Sequence, residues 1–306
     1  MNHSMLSNFV LLGFPVSKEL QPFLFLAFLL IYLVSLACNF LIMAVVCCNN
    51  KLHSPMYFFI CIFSFLEICY TSVTMPRLLI DLNSFDKATI SLYGCLTQFY
   101  FIFFSGSLEN VLLAIMGYDR YLAICNPLRY SMIMTQHVCY QLALASWISG
   151  CLVPLMPTVW VSKLFFCGYR KIDHFFCDFG PLVKLSCSDT SIAAKTFFGQ
   201  ACILILSCCL VILISYIFIM FTILTMSSTR SRQKAFSTCA SHVTVVTIFY
   251  GTIIFTYVRP STGNSTYIDK TVSVFYSVVT PLLNPIIYSL RNSSIKLAIQ
   301  NTTKKL

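Results

Sequence analysis

No charged side chain occurs between Leu20 and Asn50, and a second charge-free run extends from Thr196 to Met226. A helix needs roughly 20 apolar residues to cross the hydrocarbon core of a bilayer, and both runs exceed that. Composition extends the point to the whole chain. Its 306 residues are 58% hydrophobic and only 10% charged, with a mean hydropathy of +0.82. Such a chain has too little polar side-chain surface to face water throughout, so it is a membrane protein.

Seven spans can be placed by apolar content and punctuation, at about 23–46, 56–80, 92–124, 138–161, 196–226, 235–258 and 271–290. Pro55 stands just before the second, where a missing N–H costs nothing. The expected fold is an all-α membrane protein, a seven-transmembrane helix bundle followed by a short amphipathic helix. Residues 1–22 form an extracellular amino terminus, 23–290 the receptor-like bundle and 291–306 a cytoplasmic tail. In that tail Ile295, Leu297 and Ile299 alternate with Lys296, as in an interfacial helix. The first residues lack the basic region and cleavage site of a removable signal peptide, so the first span is expected to act as the targeting signal. No internal repeat is visible, which argues against a transporter built on inverted halves.

Lysine and arginine divide equally between the two ends of such a bundle, so the positive-inside rule does not orient it. Acids differ more: Asp119 is alone at the carboxy-terminal end. Orientation follows from chemistry instead. Cys95, Cys167, Cys177 and Cys187 flank or occupy one long polar loop, which suits an oxidising exterior. Sequons at Asn2 and Asn264 fall on the same side. The amino terminus is therefore expected outside a plasma membrane and the carboxy terminus in the cytosol. Four cysteines allow three pairings, and residues alone do not choose among them. A zinc site from these cysteines and His174 is a rival use, although the roughly ten-residue spacings are not those of common zinc knuckles. The other twelve of the sixteen cysteines lie in or beside apolar runs, where cysteine packs as a small hydrophobe.

Three features carry chemistry. Asp119 and Arg120 end the third span, and an arginine at a membrane boundary needs a partner or water. Glu67 and Glu109 lie well inside spans, where two carboxylates suggest either a shared cation or proton or a neutral hydrogen-bonded pair. Pro285 interrupts the last span within TPLLNPIIYSLRN, freeing a backbone carbonyl beside Asn284 and Tyr288. The few polar residues in spans, His242 among them, form no evident nucleophile and base pair.

The stretches LHSPMYFFICIFSFLE, MGYDRYLAICNPLRY, Ser215-Tyr216, KAFSTCASH, FYG and PLLNPIIYSLRN stand in this order along nearly the whole chain. Together they resemble the signature set of vertebrate olfactory receptors, seven-helix G-protein-coupled receptors of the rhodopsin-like class. The resemblance implies a non-enzymatic receptor whose partners are a small volatile ligand, a heterotrimeric G protein of the stimulatory (olfactory) type and the lipid bilayer, with no nucleic acid. It implies a switch formed by Asp119, Arg120, Tyr121, Tyr216, Lys234, Asn284, Pro285 and Tyr288. Arg120 pairs with Asp119 at rest and meets Tyr216 and Tyr288 on activation. It also implies disulfides Cys95–Cys177 and Cys167–Cys187, pinning the long loop over a ligand site.

Ligand positions by the same resemblance are Ile102, Phe103, Gly106, Ser107, Gln200, Ile203, Tyr250, Ile254, Tyr257 and Ser277. None is charged, so a neutral, mostly hydrocarbon ligand is expected. About ten heavy atoms at roughly 0.5–0.8 kcal/mol each give micromolar to sub-millimolar binding. No cofactor is expected apart from a sodium ion (Na+) at Glu67 and Glu109. The chain departs from the family's usual pattern at Glu67, usually Asp, and at Gly117, usually Ala. Its sequon at Asn2 also lies closer to the amino terminus than is usual. The competing readings are a receptor of this family acting outside the olfactory epithelium and, from another class, a secondary transporter coupled through Glu67 and Glu109.

Overall fold

The computed structural model describes residues 8–14, 16–83, 89–167, 170–258, 265–291 and 293–303. The chain runs β1 (Phe9–Leu11), α1 (Gln21–Cys48), α2 (Pro55–Asn83), β2 (Thr89–Ile90), α3 (Leu92–Cys125), α4 (Pro127–Ile133), α5 (Gln136–Leu152) and α6 (Leu155–Ser162). It continues through β3 (Lys171–Ile172), α7 (Phe179–Lys184), α8 (Ser191–Thr225), α9 (Thr229–Val258), α10 (Ser265–Val274), a π turn (Phe275–Val279), α11 (Thr280–Arg291) and α12 (Ser293–Thr303). Six helical passages are long and apolar enough to cross a membrane, and Cys239–Phe255 within α9 is a shorter seventh. The first turns of α9 carry Arg230 and Arg232.

The axis of the bundle is α3, buried at positions from Cys95 to Leu122 and packed on α2, α5, α6, α8 and α9. Its start is set by Ser91, whose hydroxyl accepts the Gly94 N–H at 3.1 Å, a standard N-cap. By contrast α8 buries only Cys208, Ile212, Ser215, Ile219 and Ile223, one stripe at helical spacing. The opposite face, including Leu206, Leu210, Ile217 and Phe221, is exposed. In lipid that face is already solvated by hydrocarbon, so packing and polar contacts rather than the hydrophobic effect hold the helices together.

Prolines decide where those polar contacts fall. The fourth passage, expected to be continuous, breaks at Val153 and Pro154 into α5 and α6. Pro157 has no N–H to offer Val153 O, and Gln200 Nε2 of α8 donates there instead, at 2.9 Å. Tyr100 of α3 donates to Cys151 O at 3.1 Å. Pro285 likewise leaves Pro281 O without its helical donor, and Ser35 Oγ and Asn39 Nδ2 of α1 approach it at 3.1 and 3.4 Å. Just before, the π turn inserts an extra residue into the last span, and Thr280 Oγ1 donates to Phe275 O at 3.0 Å.

At the amino-terminal end the chain builds a small cap with no counterpart in the helical reading. β1 pairs antiparallel with β2 and parallel with β3, placing Val10 opposite Thr89 and Lys171. Alternation sends Phe9 and Leu11 inward, 1% and 2% exposed, against Ile172, Cys95 and Cys177. Beyond β1 the chain turns at Gly13, whose φ of +55° is a conformation glycine adopts without a Cβ clash. Disulfides join Cys95 to Cys177 and Cys167 to Cys187, with Cα atoms 5.5 and 5.9 Å apart. At the other end Ile295 and Ala298 of α12 are buried with Val45 and Val46 of α1, while Leu297, expected on the apolar face, is 59% exposed.

Candidate functional site

Two sites emerge at different depths, a polar switch at the carboxy-terminal end of α3 and a set of unfilled positions nearer the cap. At the switch Asp119 is almost wholly buried and Arg120 only 9% exposed. Arg120 Nη2 lies 3.6 Å from Asp119 Oδ2, an ion pair too long to be a hydrogen bond, and Nη2 has no hydrogen-bond partner among the described residues. The second carboxylate oxygen is held better: Tyr130 donates its hydroxyl to Asp119 Oδ1 at 2.7 Å. Tyr130 reaches it because Pro127 opens α4 immediately after α3.

Tyr216 of α8 and His242 of α9 form the facing half. The Tyr216 hydroxyl lies 2.8 Å from His242 Nδ1, and His242 Nε2 lies 3.1 Å from Leu113 O of α3. A carbonyl only accepts, so Nε2 carries the ring proton and Nδ1 accepts from Tyr216. Three helices are thereby joined through one imidazole. Tyr288, 5% exposed, packs edge-on to Phe63 and its hydroxyl has no partner among the described residues. Tyr121 packs on Phe218 and accepts from Asn126 Nδ2 at 3.4 Å. The Lys234 side chain lies outside the described residues. Arg120, Tyr216 and Tyr288 thus lie within electrostatic reach of one another, but Tyr216 is hydrogen-bonded to His242, and neither Arg120 Nη2 nor the Tyr288 hydroxyl has a hydrogen-bond partner among the described residues.

Deeper in the bundle Asn284 Nδ2 donates to Glu67 Oε1, tying α11 to α2 next to the buried Pro285. Glu109 of α3 is within electrostatic reach of Glu67. Its Oε1 and Asn284 Oδ1 are buried without hydrogen-bond partners among the described residues. Two buried carboxylates with orphaned oxygens around them form an acceptor-rich centre in which the Asn284 amide donates to Glu67 and the hydroxyls of Tyr70 and Tyr288 lie within electrostatic reach.

The expected ligand positions separate into three groups. Gly106 faces open space, since a Cβ built there meets nothing within 4 Å. Ser107 is 7% exposed with no hydrogen bond among the described residues, and the Tyr250 hydroxyl is buried and unpartnered. Phe103 lies between Phe99 and Phe197, with ring centroids 4.6 and 5.1 Å away. A second group is engaged elsewhere: the Gln200 amide nitrogen caps Val153 O, and Ser277 donates to Ser273 O at 2.6 Å. Ile203 and Ile254 form the third, corrected to outward positions at 74% and 51% exposure, because each turns past the buried stripe of its helix. The Tyr257 side chain, Asn2 and Asn264 lie outside the described residues.

In the cap, His174 is 3% exposed. Its Nδ1 accepts the Phe176 N–H at 3.3 Å, so Nε2 carries the proton and donates to Ser273 Oγ at 3.2 Å. Burial, assisted by the Lys270 charge, pushes the imidazole pKa down to about 3, against the opposing pull of Asp173. Among the described residues no three His, Cys, Asp or Glu side chains form a metal cluster. Sequence reading missed Tyr130 and His242 as switch residues and Lys270 altogether. The first two end the quoted motifs MGYDRYLAICNPLRY and KAFSTCASH, which was their only signal.

Residues 28–305 match the olfactory receptor family. Olfactory receptor 10A7 of Homo sapiens is 48% identical over 301 residues, covering 98% of this chain and 95% of that protein. Olfactory receptor 5M5 of Mus musculus is 45% identical over 304 residues, with 99% and 95% covered. Olfactory receptor 6N1 of Homo sapiens is 46% identical over 305 residues, with 100% and 97% covered.

Proposed function

Because the chain belongs to the olfactory receptor family, a family of multi-pass G-protein-coupled receptors and not of enzymes, we propose that it binds small, neutral, mostly apolar volatiles. Binding would take place inside the bundle, and the bound state would activate a stimulatory G protein that raises cAMP. The amino-terminal cap faces outward in this reading, and the basic end bearing Arg120 faces the cytosol. The observation that carries it is the loose hold on Arg120, one carboxylate at 3.6 Å and no hydrogen bond to Nη2. An arginine so held leaves its partner at little cost when α9 moves and Tyr216 is released from His242. Tyr216 and Tyr288 then replace a carboxylate with hydroxyl acceptors, and the G protein enters beside them.

On the ligand side, Gly106 supplies room and Ser107 and Tyr250 supply directional polar groups, with the buried Oε1 of Gln200, unpartnered among the described residues, as a further acceptor. A neutral ligand with one or two polar atoms matches that lining. The test is a cAMP screen of neutral volatiles with wild type beside Arg120→Ala at matched surface expression. Wild type should respond and Arg120→Ala should be silent. A full response from the variant would remove Arg120 from the switch, and a preference for ionised ligands would remove the neutral-ligand reading.

A second reading concerns the Glu67 and Glu109 centre. Its orphaned oxygens fit a hard monovalent cation, which takes oxygen ligands, and we propose that Glu67, Glu109 and Asn284 hold a sodium ion or a shared proton in the inactive state. Replacing sodium by choline should raise basal cAMP in wild type and leave Glu67→Gln unchanged. Equal effects on both would leave only the proton.

A further inference from the structure

The cap contains a buried cation that neither the switch nor the ligand lining uses. Lys270 of α10 is 4% exposed, and its ammonium donates to Gly13 O at 2.8 Å and to Asp173 Oδ1 at 2.5 Å. Gly13 follows β1 and Asp173 follows β3, so one side chain fastens two distant chain segments to the start of the last span. A lysine is withdrawn from water only where acceptors compensate its charge, and here both acceptors come from the cap. The tie is asymmetric: the Asp173 side chain is half exposed, 52%, and loses little in water, whereas the Lys270 ammonium depends on it. Three residues further along the chain, Ser273 accepts from His174 and provides a second, neutral fastening of the same loop.

What this loop carries is the reason the fastening matters. Phe175 and Phe176, two and three residues after Asp173, are buried with Ile102 of α3, Val278 of the π turn and Tyr70 of α2. Ile102 is itself one of the expected ligand positions and lies four residues, about one helical turn, before Gly106 on the same face of α3, where the open space begins. The two phenylalanines therefore sit where a roof over that lining would sit, on a loop that the described helices hold through the Cys95–Cys177 disulfide on one side and Lys270 on the other. The disulfide anchors the loop to α3 whatever the state of the last span. Among the described polar contacts, those of Lys270 and His174 tie it to α10, where Val274 also packs against the cluster of Phe175 and Phe176.

We propose that Lys270 is a positioning residue for ligand recognition: by latching Asp173 and Gly13 O to α10, it seats Phe175 and Phe176 as the roof of the ligand site. This rests on the ligand site proposed above. Unlatching leaves the roof tethered by its disulfide and held to the last span by the His174–Ser273 hydrogen bond and apolar packing alone, without the charged tie that fixes its seat. A site that is closed only a tenth of the time binds about tenfold more weakly, with no change in the bound complex or in its signalling.

The test uses the full-length receptor in cells, a neutral agonist taken from the volatile screen, cAMP dose responses and surface level from an amino-terminal epitope. Lys270→Met and Asp173→Asn should each raise EC50 about tenfold, with maximum response and surface level kept, and the double variant should be no worse than either single variant. Unchanged EC50 in both single variants, or effects that multiply in the double, would overturn the latch. If Lys270→Met does not reach the surface, Asp173→Asn, which alters a half-exposed side chain, decides alone. Gly106→Leu is measured beside them because it fills the ligand space directly. No effect of Gly106→Leu on EC50 overturns the ligand site and the latch with it, whereas a shift there with none at Lys270 and Asp173 overturns the latch only.

Discussion

The cap and the switch use the same kinds of groups in opposite ways. In the cap, Gln98 donates to Val73 O at 3.2 Å and accepts the Cys177 N–H at 3.1 Å, both ring nitrogens of His174 are engaged, and Lys270 has two acceptors. Around Arg120 and the carboxylate centre, Arg120 Nη2, Glu109 Oε1, Asn284 Oδ1 and the hydroxyls of Tyr250 and Tyr288 are buried without hydrogen-bond partners among the described residues. Each such group carries a desolvation cost of about 1–3 kcal/mol. In the cap most polar groups are matched, Asp81 being held by its ion pair with Arg77 at 3.1 Å rather than by a hydrogen bond, and such a region favours one arrangement. A region holding several unmatched ones has others of similar free energy within reach, and that is the condition for a switch. In the function proposed above, the cap holds ligand geometry and the cluster at Arg120 changes state.

The comparison is broken most severely at the cap disulfide. Cys95→Ser should cost about 2–5 kcal/mol and abolish surface display, measured by flow cytometry, since the disulfide closes an 82-residue separation between α3 and the loop. A variant that reached the surface normally would move the source of cap rigidity to the ion pair and the sheet.

Next in size is Tyr130→Phe. It removes a hydrogen bond to a buried carboxylate, worth about 1.5–3 kcal/mol, and leaves Asp119 with Arg120 alone. Basal cAMP should rise several-fold at constant surface level. Unaltered basal signalling would mean that Tyr130 positions the α4 loop and nothing more.

The cap should also respond to acid, with a definite sign. The His174 pKa is pushed from 6.5 down to about 3 in the folded protein, facing Lys270 and Asp173. Above pH 6.5 both folded and unfolded forms are neutral and there is no effect. Between 6.5 and 3 only the opened loop binds the proton, so stability falls by about 1.4 kcal/mol per pH unit, or about 2 kcal/mol at pH 5. Hydrogen exchange of residues 171–177 should accelerate over that range in wild type and not in His174→Gln. A flat profile in wild type would place the imidazole in water.

The smallest expected effect sharpens the switch side. A Cβ on Gly117 would stand 3.5 Å from His242 Cε1 and from Ile212 Cγ1, ordinary contact distance. Gly117→Ala should therefore stabilise α3 by up to about 1 kcal/mol, raising the melting temperature by a few degrees in detergent and lowering basal activity slightly. A lower melting temperature would mean that α8 or α9 cannot give way at that contact.

Much of the architecture was legible because a bilayer allows few alternatives. Charge-free runs such as Leu20–Asn50 state their own fate, and the tripeptide at Asp119 advertised the switch. Gln200 has a second task that the sequence conceals, while its Oε1 stays buried without a partner among the described residues. A lone amide in an apolar run looks like a ligand anchor, and only the neighbouring helix reveals that Pro157 has left Val153 O to be capped. Ile203 and Ile254 were misplaced because the locally apolar runs around them in α8 and α9 give little clue to which face points inward.

The residues by themselves determined the helical bundle, its spans to within a few positions, the place of the ion pair and the membership of the chain in its family. These follow from hydrocarbon thickness, from the cost of burying charge and from motifs contiguous along the chain. The tertiary structure alone decided that Tyr130 shares Asp119, that His242 holds Tyr216, that the last span carries a π turn, and that Lys270 gathers Gly13 and Asp173 across 257 and 97 positions of sequence. Contacts at such separations depend on helix rotation and on backbone carbonyls freed by proline. Neither leaves a periodic mark on the amino-acid order.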